Sequence, residues 1–305
     1  MNLSAHVTIV ICSCNREAEL RATLDHLLAQ DHRAPIIVVD NGSTDTTALT
    51  LANERRVRTV SLGKNIGAAA RNLGVELATT PYVALVDDDT RWEPDALPRA
   101  VARLAEQPCL AGVTGRMLVG PHGIEDPISR WMAASPLRTL PGFSGSVVLG
   151  FLAGASVFRR QPFLRAGGFN PRFFVGGEEE LLALDLAADG WYLSYMEEMV
   201  VWHFPSPHRN RRERDRMVAR NALWVAWLRR PYRVALRRTF AVLQRSRRDA
   251  PQVLRDALAG AGWVWRNRRR LPAWVERDIR RIEAAGTLWD PGDGSVFRRT
   301  RYRGA

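Results

Sequence analysis

Four apolar, largely β-branched runs recur in the first hundred residues, each followed by a segment of helical period. This rhythm limits the fold more than any other feature. The runs are HVTIVICSC (6–14), APIIVVD (34–40), VRTVSLG (57–63) and PYVALVD (81–87). Between them lie REAELRATLDHLLAQ (16–30), with Leu20, Leu24, Leu27 and Leu28 at helical spacing, NGSTDTTALTLANE (41–54) and NIGAAARNLGVELA (65–78). EPDALPRAVARLAE (93–106) closes the series. Ser43 or Thr44 is the expected N-cap of the second helix, after a turn at Gly42. Strands and helices alternating at roughly 25-residue spacing predict an α/β fold with a mostly parallel sheet and covering helices. In such sheets ligands bind beyond the carboxyl ends of the strands. The residues to examine are therefore Asn15, Asp40 and the triplet Asp87, Asp88 and Asp89.

The rest of the chain has a different texture. Residues 110–175 are rich in Gly, Pro and Ser, with strands expected across FSGSVVLGFLAGASVFRR (143–160). GGEEELLALDLAADGW (176–191) reads as an acid-led helix ending near Gly190, and YLSYMEEMVVWHF (192–204) as a strand. After Pro207 come Arg-rich helices with interleaved Trp, so a boundary is expected near 205–208, with one domain over 1–204 and a helical region over 205–305. Charge divides at the same place. Residues 205–305 carry 26 Arg against 9 acids, a net of +17, which leaves the front with 18 basic and 23 acidic residues, a net of −5. The three cysteines Cys12, Cys14 and Cys109 form no disulfide framework and point to reduced thiols in a cytoplasmic setting. The N-terminal residues read as a first strand rather than a signal peptide. The longest apolar stretch, VVLGFLAGASVF (147–158), is too short and glycine-rich to span a bilayer.

Three carboxylates at one strand end repel each other, so something must offset them. Strand alternation places Asp87 and Asp89 on one side and Asp88 on the other. Two carboxylates aimed together at a ligand-binding rim call for a cation, and hard oxygen ligands favour Mg²⁺ or Mn²⁺, a natural partner for a diphosphate. Asp40, before the Asn41-Gly42 turn, is placed to accept a hydrogen bond from a base N–H; a helix cap is the plainer reading. In NIGAAARN (65–72), the small residues permit close approach of backbone to a ligand, or else tight helix–sheet packing, and Arg71 can offset phosphate charge. No GxGxxG follows the first strand, so dinucleotide binding of the dehydrogenase kind has no support.

VDNGSTD, NIGAAARNLGVELA, YVALVDDDT-x-x-x-PDAL and GGFNPRFFVGGEEELLALDL, in this order, resemble the inverting family 2 glycosyltransferases of GT-A fold over about residues 7–204. The resemblance implies a three-layer α/β/α sandwich and a nucleotide-sugar donor (UDP-, dTDP- or GDP-sugar). Asp87 and Asp89 would form a DxD element binding metal and diphosphate. Asp40 would meet the nucleobase, Arg71 would lie near the nucleotide, and Asp88 would face the ribose or support the loop. Asn15 and Asn65 would belong to the same nucleotide-binding set. Matching GGEEELLALDL to the family pattern puts Glu179 at the catalytic-base position; a one-residue slip would make it Glu180, and capping of the helix dipole is the alternative use of these acids. His203, ending VVWHF, would complete the metal shell, with His208 as competitor. Trp191, Trp202 and Phe174 are candidates for a sugar-stacking platform, or else core aromatics.

The basic C-terminal region admits three readings: a helical cap with a solvated basic face, a peripheral membrane contact, and nucleic-acid binding. RNALWVAWLRRPYRVALRRTFAVL (220–243) sets Trp and apolar positions beside Arg, as interfacial amphipathic helices do, and a lipid-linked or glycan acceptor would suit that. The inner face of a membrane is the matching location. No nucleic-acid motif appears, which makes that partner the weakest of the three. The alternative to an enzyme is a catalytically silent relative acting as a binding or scaffold protein.

Overall fold

A computed structural model describes residues 2–137, 139, 145–205 and 211–286. The elements run β1 (Val7–Ser13), α1 (Glu17–Leu28), β2 (Ile36–Asp40), α2 (Thr47–Asn53), β3 (Arg58–Ser61), α3 (Ala70–Leu77), β4 (Tyr82–Asp87), β5 (Thr90–Trp92) and α4 (Ala96–Glu106). They continue through β6 (Leu110–Val119), β7 (Ile124–Glu125), α5 (Pro127–Ala133), β8 (Ser146–Val148), β9 (Ala155–Arg159), α6 (Arg160–Arg165), α7 (Glu178–Ala188) and β10 (Tyr192–His203). Five further helices follow: α8 (Arg211–Arg229), α9 (Tyr232–Ser246), α10 (Ala250–Ala259), α11 (Ala261–Arg266) and α12 (Ala273–Ala284).

The strands form one sheet in the order β3-β2-β1-β4-β9-β6-β10-β5, with β7 on β6 and β8 on β10. Along this path β9 and β5 run against the other six, because β9 pairs antiparallel with both β4 and β6, and β5 with β10. The expected mostly parallel sheet is therefore present, interrupted by antiparallel β9, and β5, which follows β4 by two residues, pairs with the end of β10 so that His203 lies opposite Thr90. Both faces are covered. On one face Ile9, Ile11, Val38, Ala84 and Val86 pack against Leu20, Leu24 and Leu27 of α1 and Leu97, Val101 and Leu104 of α4. On the other, Val10, Ile37, Val39, Val83 and Leu85 pack against Val75 of α3, Phe163 of α6 and Leu182 and Leu186 of α7. Alternate residues of each strand thus serve opposite layers, which is why these strands read as continuous apolar runs.

Three strands, β5, β6 and the two-residue β7, were not expected from the sequence. β6 is ten residues long and lies inside the sheet, yet its Gly112 and Gly115 weaken the strand signal. Both glycines are required by close neighbours: a side-chain carbon at Gly112 would stand 2.6 Å from the Phe158 ring, and at Gly115 2.2 Å from the Met199 carbonyl oxygen. The short β5 pairs with the end of β10. The N-cap of α2 also differs. The helix begins at Thr47, whose N–H is accepted by Asp45 Oδ1, while Ser43 and Thr44 are engaged by Asn15.

The C-terminal helices share a core with α7. Leu181, Leu184 and Ala187 pack against Trp224, Val225 and Leu228 of α8, Val264 of α11 and Val275 and Ile279 of α12. Two buried ion pairs hold this region: Arg229 forks onto Asp185 of α7 at 2.5 and 2.9 Å, and Arg230 onto Glu276 of α12 at 2.7 and 3.3 Å. Part of the basic surplus is therefore internal structure. No helix among the described residues is long and apolar enough to cross a membrane.

Candidate active site

β1, β2 and β4 end side by side, with Ser13 opposite Asp40 and Cys12 opposite Asp87 in the ladder. The strand register thus delivers Asn15, Asp40 and the aspartate triplet to one rim. Asn15 has φ 55°, in the left-handed region that Asn tolerates. Its N–H donates to Ser43 Oγ at 3.0 Å and its Oδ1 accepts from Thr44 N at 2.7 Å, so it clasps the loop after β2. Asp40 is buried; its Oδ1 accepts from Ser43 N at 3.0 Å, and no hydrogen bond to Oδ2 is found among the described residues.

The triplet does not follow the expected alternation. β4 ends at Asp87, and Thr90 Oγ1 donates to the Asp87 carbonyl at 2.9 Å, so Asp88 and Asp89 sit in a turn where strand period no longer applies. Asp88 and Asp89 share one counter-charge. Arg16 Nη1 reaches Asp88 Oδ1 at 3.2 Å and Asp89 Oδ2 at 2.8 Å. Asp88 also accepts from Ser13 Oγ at 2.7 Å. Burial pushes Asp88 up to about 6, against the pull of Arg16. Its oxygens are committed to Ser13 and Arg16, which favours support of the loop over contact with a ribose. Asp87 turns instead to Arg71, whose Nη2 lies 2.5 Å from Asp87 Oδ1. Its side chain is 30% exposed, against 8% for Asp88 and 2% for Asp89, so Asp87 is the carboxylate open to the rim.

His203, at the end of β10, stands with Nε2 3.4 Å from Asp89 Oδ1. No group of three or more His, Cys, Asp or Glu side chains arranged to hold a metal occurs among the described residues. The expected convergence of Asp87, Asp89 and His203 on one point is therefore replaced by an Asp89–His203 pair with Asp87 set apart on Arg71. Mg²⁺ and Mn²⁺ sites commonly take one or two carboxylates and fill the remaining positions with substrate phosphate and water. The Asp89–His203 pair fits that incomplete kind of site and not a closed protein cage. On the Asp87 side of the rim, two buried atoms, Arg71 Nε and Glu178 Oε2, have no partner among the described residues.

α7 begins after Gly176 and Gly177, at φ 82° and 87°. That left-handed pair turns the chain so that the three glutamates take separate directions. Glu180 is buried, lies 3.4 Å from Arg238 of α9 and lines a cavity of about 80 Å³ with Trp131, Leu184 and Ile279, away from the rim. Glu178 is buried and feels the Arg71 charge. Glu179 is half-buried, and its Oε1 accepts from Ala153 N at 2.7 Å. The next residue, Gly154, packs on Asp87: a side-chain carbon there would stand 2.6 Å from Asp87 Oδ2. One stretch of backbone therefore seats both Glu179 and Asp87. Burial raises both Glu178 and Glu179 above the usual carboxylate range, and Glu178 adds to the rise of Glu179.

Four further candidates, Trp191, Asn65, Phe174 and Trp202, take other places. Trp191 precedes β10, whose first residue pairs with Leu110 at the start of β6, whereas His203 pairs with Val119 at its end. The length of β10, bulged between Met196 and Val200, separates Trp191 from the rim, a span of roughly 25–30 Å, which places it away from the site. Asn65 Oδ1 accepts from Asn41 Nδ2 and Gly67 N, and its Nδ2 meets Cys14 Sγ, so it organises its own loop. The small residues of 65–72 serve close packing. A side-chain carbon at Gly67 would strike the Phe174 carbonyl oxygen at 2.1 Å, and Ala68 N donates to that same oxygen at 2.7 Å. Phe174 is exposed at this junction, and Trp202 Nε1 donates to Glu93. His208 lies outside the described residues.

Other residues emerge only here. Arg16 and Ser13 neutralise and brace the triplet. Asn221 of α8, fully buried, donates through Nδ2 to the carbonyls of Phe173, Val175 and Gly176, the loop that leads into α7. Arg16 sits one residue past the first strand-end position, a signal that was available. Asn221 has no local signal, because its partners are 45 to 48 positions away.

A carboxylate rim at the ends of parallel strands, faced by an acid-led helix after an antiparallel insertion, defines an α/β protein of GT-A architecture. The chain belongs to glycosyl transferase family 2, whose model matches residues 8–165. It is 40% identical over 110 residues, 36% of its length, to an uncharacterized glycosyltransferase of Mycobacterium tuberculosis, and spans about half (48%) of that relative's length. It is 27% identical over 277 residues to an N-acetylglucosaminyl-diphospho-decaprenol L-rhamnosyltransferase of the same species, covering 72% of this chain and 88% of that one. The mannosyltransferase PcManGT of Pyrobaculum calidifontis, solved with GDP-Man and Mn²⁺, superposes with a TM-score of 0.57 at 19% identity, covering 96% of this chain and 83% of the other, a likeness of fold.

Proposed function

We propose that the chain transfers a sugar from a nucleoside-diphosphate sugar to an acceptor hydroxyl by a single, inverting displacement, in the synthesis of a glycan, polysaccharide or glycolipid. The observation that carries this reading is the seating of Glu179. It is the one glutamate of its triplet that is neither fully buried nor paired with Arg238, and the Ala153-Gly154 backbone sets it beside Asp87. A carboxylate whose affinity for protons is raised by burial is suited to take the proton of an attacking hydroxyl. Ala153 N–H fixes the acceptor oxygen of Glu179 in place. Asp40 would meet a nucleobase N–H, the loop that Asn15 clasps would lie over it, and Arg71, now on Asp87, would answer phosphate charge. Asp89 and His203 would hold a divalent ion whose Lewis acidity offsets the negative charge of the departing diphosphate. GDP-Man and Mn²⁺ in the mannosyltransferase structure and the decaprenol-linked acceptor in the rhamnosyltransferase's name are consistent with a sugar nucleotide, a divalent ion and a lipid-linked acceptor at the cytoplasmic face of a membrane.

One observation favours the alternative, a silent binding or scaffold protein: Arg71 and Arg16 already pair with all three aspartates. A calorimetric titration with UDP, dTDP and GDP, each with and without Mn²⁺, separates the readings. Binding of one nucleotide that requires the ion supports transfer. Absent or ion-indifferent binding defeats it.

A further inference from the structure

We propose that the outward face of α9 docks on an anionic lipid bilayer. Among the described residues ten large hydrophobic side chains are exposed, and seven of them fall between residues 232 and 274. Three stand on α9 at successive turns: Tyr232, Leu236 and Phe240, exposed by 46%, 48% and 68%. Spacing of four keeps them in one stripe, while Val234, Ala235 and Val242 occupy the buried side of the same helix. Leu254 and Leu258 repeat the spacing on α10, which packs against α8 and α9. Trp265 follows on α11, 69% exposed. The Tyr232 ring is partly engaged, lying under the Arg268 guanidinium at 4.1 Å and 6.3 Å from Trp227, whereas Leu236 and Phe240 belong to no hydrophobic cluster among the described residues. The preceding part of the basic segment, with Leu223, Trp224, Val225 and Leu228, is buried against α7, so the core is already satisfied without α9's outer stripe.

Arginines flank the stripe. Arg233 and Arg237 are exposed next to Tyr232 and Leu236, and neither makes an ion pair among the described residues, whereas Arg229 and Arg230 are locked into carboxylates. Aromatic and aliphatic side chains beside uncompensated arginines match the boundary between acyl chains and anionic headgroups. The other partners fit less well. A nucleic-acid duplex is gripped through its phosphates and gains little from Leu236 and Phe240. A second copy would bring together two helical regions that each carry a net +17 over 205–305. This surface goes beyond the proposed transfer reaction and stands or falls without it; an acceptor held in the same bilayer would be presented in the same plane.

The test is co-sedimentation of the full chain with vesicles of phosphatidylcholine alone and of phosphatidylcholine mixed with phosphatidylglycerol. Binding to the mixed vesicles should exceed binding to the neutral ones at least about tenfold. The double variant Leu236→Ser, Phe240→Ser, which leaves the charge unchanged, and the double variant Arg233→Gln, Arg237→Gln should each lose at least about tenfold. Melting temperature and nucleotide titration of the same variants should match the parent, which separates failure here from failure of the transfer reading. Equal binding to both vesicles, or an apolar variant that binds like the parent, overturns the proposal. So does a duplex DNA that displaces the vesicles, or a dimer in solution that the apolar variant dissolves.

Discussion

Glu179→Gln isolates the chemistry of the site. The substitution keeps the volume of the side chain and an oxygen able to accept the Ala153 N–H now held at 2.7 Å, and removes only the capacity to take a proton. If Glu179 is the base, single-turnover transfer should fall by about 10²–10⁴-fold. At 1.36 kcal/mol per tenfold this is roughly 3–5 kcal/mol of barrier. Stability should move the other way. Burial, then Glu178, raises the folded-state pKa of Glu179 above the ordinary carboxylate value of 4.5. The folded chain therefore holds a proton that the unfolded chain has released, and stability present below pH 4.5 is lost as pH rises from there toward the folded pKa. Each unit of that interval costs about 1.36 kcal/mol, so the penalty at pH 7 is at most roughly 3.5 kcal/mol. The Gln variant lacks it. Its melting temperature should exceed the parent's by several degrees at pH 7, at roughly 2–4 °C per kcal/mol, and the two should converge below pH 4.5. Thermal melts from pH 4 to 8, paired with a single-turnover assay and a nucleotide titration, check all three consequences. A variant with parental turnover, or a melting difference that ignores pH, would falsify the assignment.

Asp89→Asn should weaken nucleotide affinity about tenfold in Mn²⁺ and leave the ion-free affinity alone, read by calorimetry; unchanged affinity in Mn²⁺ removes Asp89 from the ion. Arg16→Gln leaves Asp88 and Asp89 buried without their shared counter-charge and should destabilise the chain by roughly 1–3 kcal/mol. Added Mn²⁺ should recover more of that loss in the variant than it adds to the parent, and equal thermal shifts in both would count against an ion at this rim. Asn221→Ala leaves three carbonyls before α7 short of a donor. Transfer should drop at least about tenfold while nucleotide affinity stays within about twofold, and a parallel fall in both would mean that Asn221 serves the donor site as well.

The parallel half of the sheet was legible because burial on both faces forces long apolar, β-branched runs, and helices between them carry a 3.6-residue apolar period. Those two periods alone placed β1 to β4, α1 and α4 close to their observed bounds and brought Asn15, Asp40 and Asp87 to one rim. β6 escaped because Gly112 and Gly115, which dilute its pattern, answer to Phe158 and Met199, residues over forty and eighty positions away. The same limit applied to the aspartates. Alternation was a sound rule up to Asp87 and failed one residue later, where the strand gave way to a turn.

What the sequence determined by itself is the kind of fold and the chemical cast of the rim, since both follow from local patterning. Only the tertiary structure decided how charge is distributed there: Arg71 on Asp87, Arg16 across Asp88 and Asp89, Arg238 drawing Glu180 away and leaving Glu179 beside the rim. It also decided which arginines of the basic region are internal ties and which stand beside an uncovered apolar stripe. Pairing partners and burial are set by contacts between distant segments, and no local period records them.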